Sequence, residues 1–220
     1  MSDKIYRVEV TASTNDLAKT MAGTAPHGTA VVAEAQTAGR GRLGRTFVSP
    51  PGGIYLSLIL RPTAPLTEYL HLTPVLSVAA CDAVEACTGI RPGCKWVNDL
   101  LLGEKKLAGI LTEITGGVFI VGIGLNCKSD PSLLPEVAVS IDADREALTE
   151  ALIGHLTHAF DTALTEKAQW LARYRRDCVT IGSRVRTETL CGIAAGVDDN
   201  GALLVQTENG IHAVSTGMLI

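Results

Sequence analysis

Short strand-like runs broken by turn-forming pairs occupy the middle of the chain, and this spacing is the strongest constraint on its fold. The turns fall at Asn98-Asp99, Gly103-Glu104 and Gly116-Gly117. They separate β-type runs at residues 94–97, 100–102, 106–114 and 118–124. This pattern predicts a meandering sheet, with candidate functional residues on its turns and strand ends.

The flanking segments add further strands and several helices. Strand-like runs cover residues 6–10, 29–36 and 54–61. A short helix is predicted from Ser13 or Thr14, either of which can act as the N-cap, to about Met21. Longer helices are predicted at residues 75–87, after a Thr73 cap, and at 144–165, with a second amphipathic piece reaching residue 174. We therefore expect the α+β class, with a mixed, largely antiparallel sheet backed by helices.

After Cys178 the sequence changes from helical patterns to short β-type runs. Short β-type runs at residues 184–189, 191–197, 203–207 and 211–214 are separated by DDNG and ENG, which are strong hairpin signals. These runs predict a small antiparallel barrel. We expect one domain over residues 1–178 and a second over residues 179–220.

Charge and composition exclude several classes of function. The 220 residues carry a formal net charge of −4 and only 4% aromatic residues, whereas duplex binding needs a basic surface and general single-strand binding needs aromatic platforms. The longest apolar runs are strand-sized, and the amino-terminal segment lacks the order of a signal peptide. The six cysteines form no CxxC pair and are expected to be small apolar residues in a reducing compartment. We expect a cytoplasmic protein that binds neither nucleic acid nor membrane.

A glycine-arginine stretch, GRGRLGR at residues 39–45, lies between two predicted strands. Its G-x-G-x-x-G spacing matches a dinucleotide fingerprint, but such a loop must open a helix, and residues 46–53 are rich in helix breakers. Glycine lets the backbone approach a ligand, and arginine binds phosphate or carboxylate in fork geometry. The stretch predicts a loop that binds a small anion, with a solvated basic turn as the alternative.

Two further motifs place polar residues beside predicted strands. KWVNDLLL at residues 95–102 presents a cation, an aromatic ring, an amide and a carboxylate, although Asn98 and Asp99 can also serve only as turn formers. KKLAGILTEI at residues 105–114 begins with two lysines, of which at most one faces a pocket, because adjacent strand residues point to opposite faces. That lysine can stabilise developing negative charge, and a solvated surface lysine is the alternative. No metal site is predicted.

Six segments, taken in order, closely resemble those of biotin protein ligases. They are STN at 13–15, EAQTAGRGRLGR at 34–45, SPPGGIYLS at 49–57, KWVNDLLL, KKLAGILTE and VGIGLNC at 121–127. The resemblance implies a catalytic domain of the class II synthetase type followed by a small SH3-like barrel, in the short class without an amino-terminal DNA-binding domain. Val97 stands where the family usually has Pro, Phe47 replaces a frequent Trp, and the chain stops at GMLI where the family often continues from GE.

The resemblance implies an enzyme that makes biotinyl-5′-adenylate from biotin and ATP with Mg²⁺, then transfers biotin to one lysine of a biotin carboxyl-carrier domain. ATP, Mg²⁺ and biotin would be substrates, with no tightly bound prosthetic group. The residues matched to biotin binding are Ser13, Thr14, Asn15, Gln36, Arg40, Gly41, Arg42 and Lys106. The residues matched to ATP or the adenylate are Arg40, Arg42, Arg45, Lys95, Trp96, Asn98 and Asn126. Lys106, Arg42 and Asp99 would carry catalysis, with Asp99 orienting or deprotonating the acceptor lysine.

Two other functions stay open from the sequence. A lipoate or octanoate protein ligase or transferase of the same fold would also acylate a carrier lysine, although the GRGRLGR and KWVND pair belongs to the biotin side. A non-catalytic module that sequesters biotin would use the same pocket and release no pyrophosphate. Monomers and homodimers both occur in the family, so the oligomeric state is left open. The glycine-rich loop is expected to be mobile without ligand and to be ordered by biotin and ATP.

Overall fold

Two β-sheets organise the chain in the computed structural model, which describes residues 4–187 and 190–215. The larger sheet has seven strands and the smaller, carboxyl-terminal sheet has four. The strands of the larger sheet are β1 (Ile5–Thr11), β2 (Thr29–Gln36), β3 (Ile54–Leu60), β4 (Gly93–Lys95), β5 (Asp99–Leu102), β6 (Lys105–Thr115) and β7 (Val118–Leu125). The α-helices are α1 (Thr14–Met21), α2 (Leu72–Thr88), α3 (Arg145–Thr162) and α4 (Lys167–Asp177).

Strand pairing in the larger sheet is antiparallel except between β1 and β2. The strand order is β1-β2-β3-β7-β6-β5-β4, so β4 to β7 form the predicted meander and β3 lies beside β7. All seven residues of β3 are buried, as its nearly continuous apolar sequence requires of a strand covered on both faces. The predicted mixed, largely antiparallel sheet is confirmed.

Helices cover the two faces of this sheet unequally. α1 packs on one face over a small core that includes Ala18, Ile59 and Ile120. α2 and α3 cover the other face and, together with α4, bury the main core. Because α1 is only eight residues long, it covers part of its face and leaves room beside it for a cavity.

Ser13, one of the two predicted candidates, is the N-cap of α1. The start of α2, in contrast, differs from its prediction. α2 begins at Leu72 with His71 as its N-cap, so Thr73 lies inside the helix and does not cap it. His71 is fully buried, and its Nε2 lies 2.8 Å from the carbonyl oxygen of Ala163. The N-cap therefore lies two residues earlier than local capping preferences indicate, at a residue held by a long-range contact.

The carboxyl-terminal sheet consists of β8 (Arg184–Arg186), β9 (Cys191–Val197), β10 (Leu203–Thr207) and β11 (Gly210–Val214). The order is β11-β10-β9-β8 and all three pairs are antiparallel, which confirms the small antiparallel β-structure expected here. The predicted strand at 184–189 ends at residue 186, and residues 188 and 189 lie outside the described part of the chain. In the DDNG turn, the Asp198 carboxylate accepts hydrogen bonds from the N–H groups of Asn200 and Ala202, both at 2.8 Å.

Trp96 joins the two sheets at the end of β4. This strand ends at Lys95, two residues earlier than predicted, because the Trp96 N–H donates to Thr180 Oγ1 at 2.9 Å and leaves the ladder. The indole Nε1 donates to the Gly201 carbonyl oxygen at 3.0 Å. The peptide bond between Trp96 and Val97 is cis. The DDNG turn therefore sits directly against the segment that carries KWVND.

The cysteines are all free thiols. Cys81, Cys94, Cys127 and Cys178 are buried, as expected of small apolar residues, whereas Cys87 and Cys191 are exposed. Within residues 4–187 and 190–215, no helix combines the length and the apolarity needed to cross a membrane.

We predict that Arg91→Met lowers the free energy of unfolding by about 2–3 kcal/mol, measured by urea denaturation, because largely buried carboxylates lose a cationic partner. Arg91 donates to Asp82 of α2 at 2.9 Å and to Asp177 of α4 at 2.5 Å, and so ties the two helices together. Arg176→Met is the matched control: Arg176 also binds Asp177, but its side chain is 63% exposed, and a change below about 0.5 kcal/mol is expected. Equal destabilisation by the two variants would contradict this account.

Candidate functional site

A cavity of about 520 Å³ opens on the α1 face of the larger sheet, within the roughly 300–1,000 Å³ range of small-molecule sites. Its floor contains Gly109 of β6 and Gly122 and Gly124 of β7, and Gly109 pairs directly with Gly124. A Cβ at Gly122 would overlap the Asn15 side chain, and a Cβ at Gly124 would overlap the Phe47 ring. The absence of side chains at these strand positions lets Asn15 and Phe47, which also line the cavity, pack directly on the sheet.

Every residue that the sequence analysis assigned to a site lines this cavity. They are Ser13, Thr14, Asn15, Gln36, Arg40, Gly41, Arg42, Arg45, Lys95, Trp96, Asn98, Asp99, Lys106 and Asn126. They come from the start of α1, the end of β2, the glycine-arginine loop and the ends of β4 to β7. Residues far apart in sequence are thus brought to one place by the strand order.

A polar cluster forms the part of the cavity nearest α1. Gln36 Oε1 accepts a hydrogen bond from the Thr14 N–H at 2.8 Å and lies 3.2 Å from Thr14 Oγ1. Ser57 Oγ, buried in β3, lies 2.8 Å from Thr14 Oγ1 and 2.6 Å from Asn15 Oδ1. Asn15 Nδ2 in turn donates to Glu113 at 2.8 Å. Mutual hydrogen bonding among buried polar groups makes this lining rigid.

An ion pair between Lys106 and Asp99 marks another part of the cavity. The Nζ to Oδ1 distance is 2.7 Å, and Nζ lies 5.6 Å from the centre of the Phe47 ring. Lys105 is exposed and does not belong to the lining. The prediction that at most one of the two lysines faces a pocket is therefore confirmed.

The charges around this ion pair suit an anion. Arg42 donates to Asn98 Oδ1 at 3.3 Å. Burial lowers the pKa of the Arg42 guanidinium, and the nearby Asp99 carboxylate partly opposes this shift. Within the described residues, no group of three or more His, Cys, Asp or Glu side chains is arranged to hold a metal ion. Two cations beside one carboxylate favour a negatively charged ligand over a bare metal ion.

A β-bulge in β6 directs the Lys106 side chain toward the cavity. The pairing register between β5 and β6 shifts after Leu100, which leaves Leu107 as an extra residue in β6. Positions 106 and 109 would lie on opposite faces of a regular strand. Because the bulge interrupts this alternation, Lys106 and Gly109 both line the cavity.

The backbone of Lys106 is fixed by a segment that follows β7. Its N–H donates to the Val137 carbonyl oxygen at 2.8 Å, and its own carbonyl oxygen accepts from the Val139 N–H at 2.9 Å. Asn126 Nδ2 donates to the carbonyl oxygens of Lys106 at 3.3 Å and Val139 at 3.1 Å. These bonds commit the amide hydrogens of Asn126 to the backbone beneath Lys106, and the assignment of Asn126 to the nucleotide stays a prediction.

The glycine-arginine loop closes on itself at the rim. The Gly41 N–H donates to the Arg45 carbonyl oxygen at 2.7 Å, and Arg40 forms an isolated bridge with Thr46. A single 3₁₀ turn, Arg42–Gly44, lies between them. The next strand or helix along the chain is β3, so the loop opens no α-helix and the dinucleotide fingerprint is excluded, as the sequence context predicted.

Comparisons with known proteins agree on one family. Residues 7–130 match the Biotin/lipoate A/B protein ligase family, and residues 179–218 match the Biotin protein ligase C terminal domain. The chain is 33% identical over 231 residues to the biotin–[acetyl-CoA-carboxylase] ligase of Mycobacterium tuberculosis, which covers 97% of this chain and 87% of that protein. The chain belongs to the biotin protein ligase family.

Two further similarities extend over both sheets of the ligase. This chain is 35% identical over 243 residues to the bifunctional ligase/repressor BirA of Bacillus subtilis, and the match covers 97% of this chain and 73% of that protein. Among solved structures, the biotin protein ligase from Aquifex aeolicus in complex with biotin and ATP has a TM-score of 0.86 at 28% identity, covering 99% of this chain and 97% of that one. The family and fold expected from the sequence motifs are confirmed.

Sequence analysis missed two groups of residues in this ligase. One group lines the cavity from the segment after β7: Leu134, Pro135, Val137 and Ala138. The other lies behind the lining and consists of Ser57 and Glu113, which hold Asn15. No local pattern marks the first group, because its placement depends on pairing with β6. The second had a signal in a serine within the apolar run IYLSLIL and a carboxylate inside KKLAGILTE.

We predict that Gly122→Ala lowers the free energy of unfolding of the ligase by about 1–3 kcal/mol, as over-packing does, because the new methyl group overlaps Asn15. Urea denaturation measures the change. Gly154→Ala on α3 is the control, since a Cβ there meets nothing within 4 Å and should stabilise the helix by up to about 1 kcal/mol. A gain in stability from Gly122→Ala would show that the cavity floor is not closely packed at this position.

Proposed function

We propose that the ligase activates biotin with MgATP to biotinyl-5′-adenylate and transfers the biotinyl group to one lysine of a biotin carboxyl-carrier domain. The observation that supports this most is the continuity of a single cavity, in which the cluster around Thr14 and Gln36 leads along the glycine floor to Lys106 and Arg42. A ligand with a polar ring, an apolar body and a terminal carboxylate matches that order. The similar Aquifex aeolicus ligase was solved with biotin and ATP.

The ureido ring of biotin would lie against the polar cluster. Its N–H donors and carbonyl acceptor each cost affinity if they are buried without a partner. Thr14 and Gln36 offer donors and acceptors there, and the Ser13 hydroxyl, which makes no capping bond to α1, offers another. Asn15 has a supporting role, because its Oδ1 and Nδ2 atoms are bonded to Ser57 and Glu113.

Adenylate formation needs positive charge where the biotin carboxylate meets the α-phosphate. A carboxylate oxygen attacks the α-phosphorus, the bond to the bridging oxygen of the β-phosphate breaks, and pyrophosphate leaves. Lys106 and Arg42 would neutralise the two anions brought together, and Arg40 and Arg45 would approach them from the loop. Mg²⁺ enters with ATP as part of the substrate, because it keeps mostly phosphate and water oxygens as ligands.

Lys106 would change partners during this step. Its Nζ is held by Asp99 at 2.7 Å, and the substrate carboxylate and phosphate compete for the same ammonium group. When Lys106 turns to them, the Asp99 carboxylate is released to accept a proton. In the second step the carrier lysine attacks the biotinyl carbonyl carbon, AMP leaves, and Asp99 takes the proton from the amine.

The nucleotide and carrier would enter from the side of the carboxyl-terminal sheet. Lys95, Trp96 and Asn98 border the cavity there, and Trp96 connects this border to Gly201. We propose the carrier domain of a biotin-dependent carboxylase as the acceptor, because one relative is a biotin–[acetyl-CoA-carboxylase] ligase. The cytoplasm is the proposed location, since it supplies ATP and keeps free thiols reduced.

Biotin-dependent exchange of labelled pyrophosphate into ATP tests the first step without an acceptor protein. We expect exchange with biotin and none with lipoate or octanoate. Exchange with either of the other acids would favour a lipoate-type ligase. Binding of biotin without any exchange would favour a non-catalytic binding module.

We predict that Lys106→Ala reduces pyrophosphate exchange by about 100-fold or more, as expected for loss of a preorganised charge at the reacting atoms. Because the Lys106 side chain is partly exposed, we expect the variant to stay folded, and a melting curve checks this. Lys105→Ala removes the neighbouring, exposed lysine and should change the rate by less than about twofold. Similar rates for the two variants would remove Lys106 from its role.

We predict that Asp99→Asn affects the second step more than the first. Exchange should fall by less than about tenfold, whereas transfer from preformed biotinyl-adenylate to the carrier should fall by about 100-fold or more, the usual contribution of a general base. Single-turnover transfer followed by mass spectrometry of the carrier measures this. Equal losses in both steps would assign Asp99 only to the positioning of Lys106.

A further inference from the structure

Glu113 lies at the end of the KKLAGILTE motif, and the function proposed above uses it only as a hydrogen-bond partner of Asn15. It sits on β6 outside the cavity lining. Its Oε2 atom accepts a hydrogen bond from Asn15 Nδ2 at 2.8 Å, and its Oε1 atom accepts one from Lys19 Nζ at 2.7 Å. The Glu113 carboxylate thus makes hydrogen bonds in two directions. The first is toward the polar cluster, through Asn15, and the second is toward the glycine-arginine loop, through Lys19.

The first direction leads to the polar cluster proposed to bind the ureido ring. From Glu113 the hydrogen bonds run through Asn15 to Ser57 and on to Thr14. Asn15 and Ser57 are buried, so neither can replace a lost protein partner with bulk water. Removing the acceptor at position 113 would leave the Asn15 amide short of a partner and release the Thr14 side of the cluster.

The second direction leads to the glycine-arginine loop. Lys19 and Asp16 lie on α1, with Lys19 Nζ 3.5 Å from Asp16 Oδ1. Arg40, at the start of the loop, binds Asp16 and lies 3.5 Å from Glu113 Oε2. The loop is therefore anchored to α1 and β6 by two acidic and two basic side chains, and Glu113 belongs to this group through its charge.

We propose that Glu113 is a positioning residue that couples the biotin-binding cluster to closure of the glycine-arginine loop. The inference rests on the proposed function, because it takes the polar cluster as the ureido site and the loop as the cover of the adenylate. A ligand bonded to Thr14 extends the chain of hydrogen bonds that runs through Ser57 and Asn15 to Glu113, and Glu113 holds Lys19 and Arg40 where they keep the loop closed. Biotin bound at one end of the cavity would in this way retain the adenylate at the other.

The two directions can be separated chemically. The link to Asn15 needs an acceptor atom, which glutamine also provides, whereas the link to Lys19 and Arg40 needs negative charge. Although burial alone would raise the pKa of Glu113, hydrogen bonds from Lys19 and Asn15 keep it below its usual value, so this charge is present at neutral pH. Glu113→Gln therefore removes the loop anchor and leaves the cluster, whereas Glu113→Ala removes both.

Three measurements distinguish these variants. Calorimetry gives the affinity for biotin without ATP. Trypsin cleavage after Arg40, Arg42 or Arg45 in saturating biotin and ATP reports loop opening. Chromatography of a filtrate gives the fraction of biotinyl-adenylate that escapes from the enzyme in the absence of carrier.

For Glu113→Gln we expect biotin affinity within about twofold of wild type, with loop cleavage and adenylate escape both raised by about threefold or more, as for a lost charged contact of modest strength. Glu113→Ala should weaken biotin binding by about tenfold and open the loop as well. Asp16→Asn should behave like Glu113→Gln, and it tests the loop anchor even if Glu113→Ala fails to fold.

Glu150→Gln is the matched control, because it makes the same chemical change at an exposed site on α3, and wild-type values are expected. Coupling through Glu113 is overturned if Glu113→Gln retains wild-type loop protection, or if it loses biotin affinity as far as Glu113→Ala does. Failure of the proposed function is recognised separately, because the wild-type enzyme would then exchange no pyrophosphate with biotin.

Discussion

The ion pair between Lys106 and Asp99 is the interaction on which the site depends. It holds a cation and a carboxylate 2.7 Å apart beside a floor of glycines, so that ligand oxygens can approach the ammonium group. Both side chains are partly exposed, and such pairs contribute little to stability. Its importance is therefore positional, and a contact this weak can be exchanged for a substrate anion without disturbing the fold.

The fold holds the backbone of Lys106 and Asp99 in place but leaves the two side chains able to change partners. The bulge at Leu107 directs Lys106 into the cavity, and residues 137–139 together with Asn126 hold its backbone. Asp99 begins β5, paired with Gly109 across the sheet. With the backbone held on both sides, we expect reorganisation during the proposed reaction to be confined to the lysine side chain and the glycine-arginine loop. Because the strands are rigid, the cost of placing the positive charge of Lys106 is limited to the movement of this one side chain.

Much of this site could be predicted from the sequence, because short turns dictate the meander and the motifs are local. GRGRLGR, KWVND and KKLAGI each contribute residues to the lining of one cavity. Local patterns could not reveal which contacts those residues make. The commitment of Asn126 to the backbone, the partners of Asn15 and the start of α2 at Leu72 all depend on residues distant in sequence, where tertiary contacts override local preference.

A crystal structure with a non-hydrolysable analogue of biotinyl-5′-adenylate tests the central claim most directly. We expect Lys106 Nζ to lie within about 3 Å of a phosphate or acyl oxygen of the analogue, and more than about 4 Å from the Asp99 carboxylate, beyond ion-pair distance. Asp99 would then face the side from which a carrier lysine arrives. An analogue bound in the cavity with Lys106 still paired to Asp99 would contradict the exchange of partners and the catalytic role built on it.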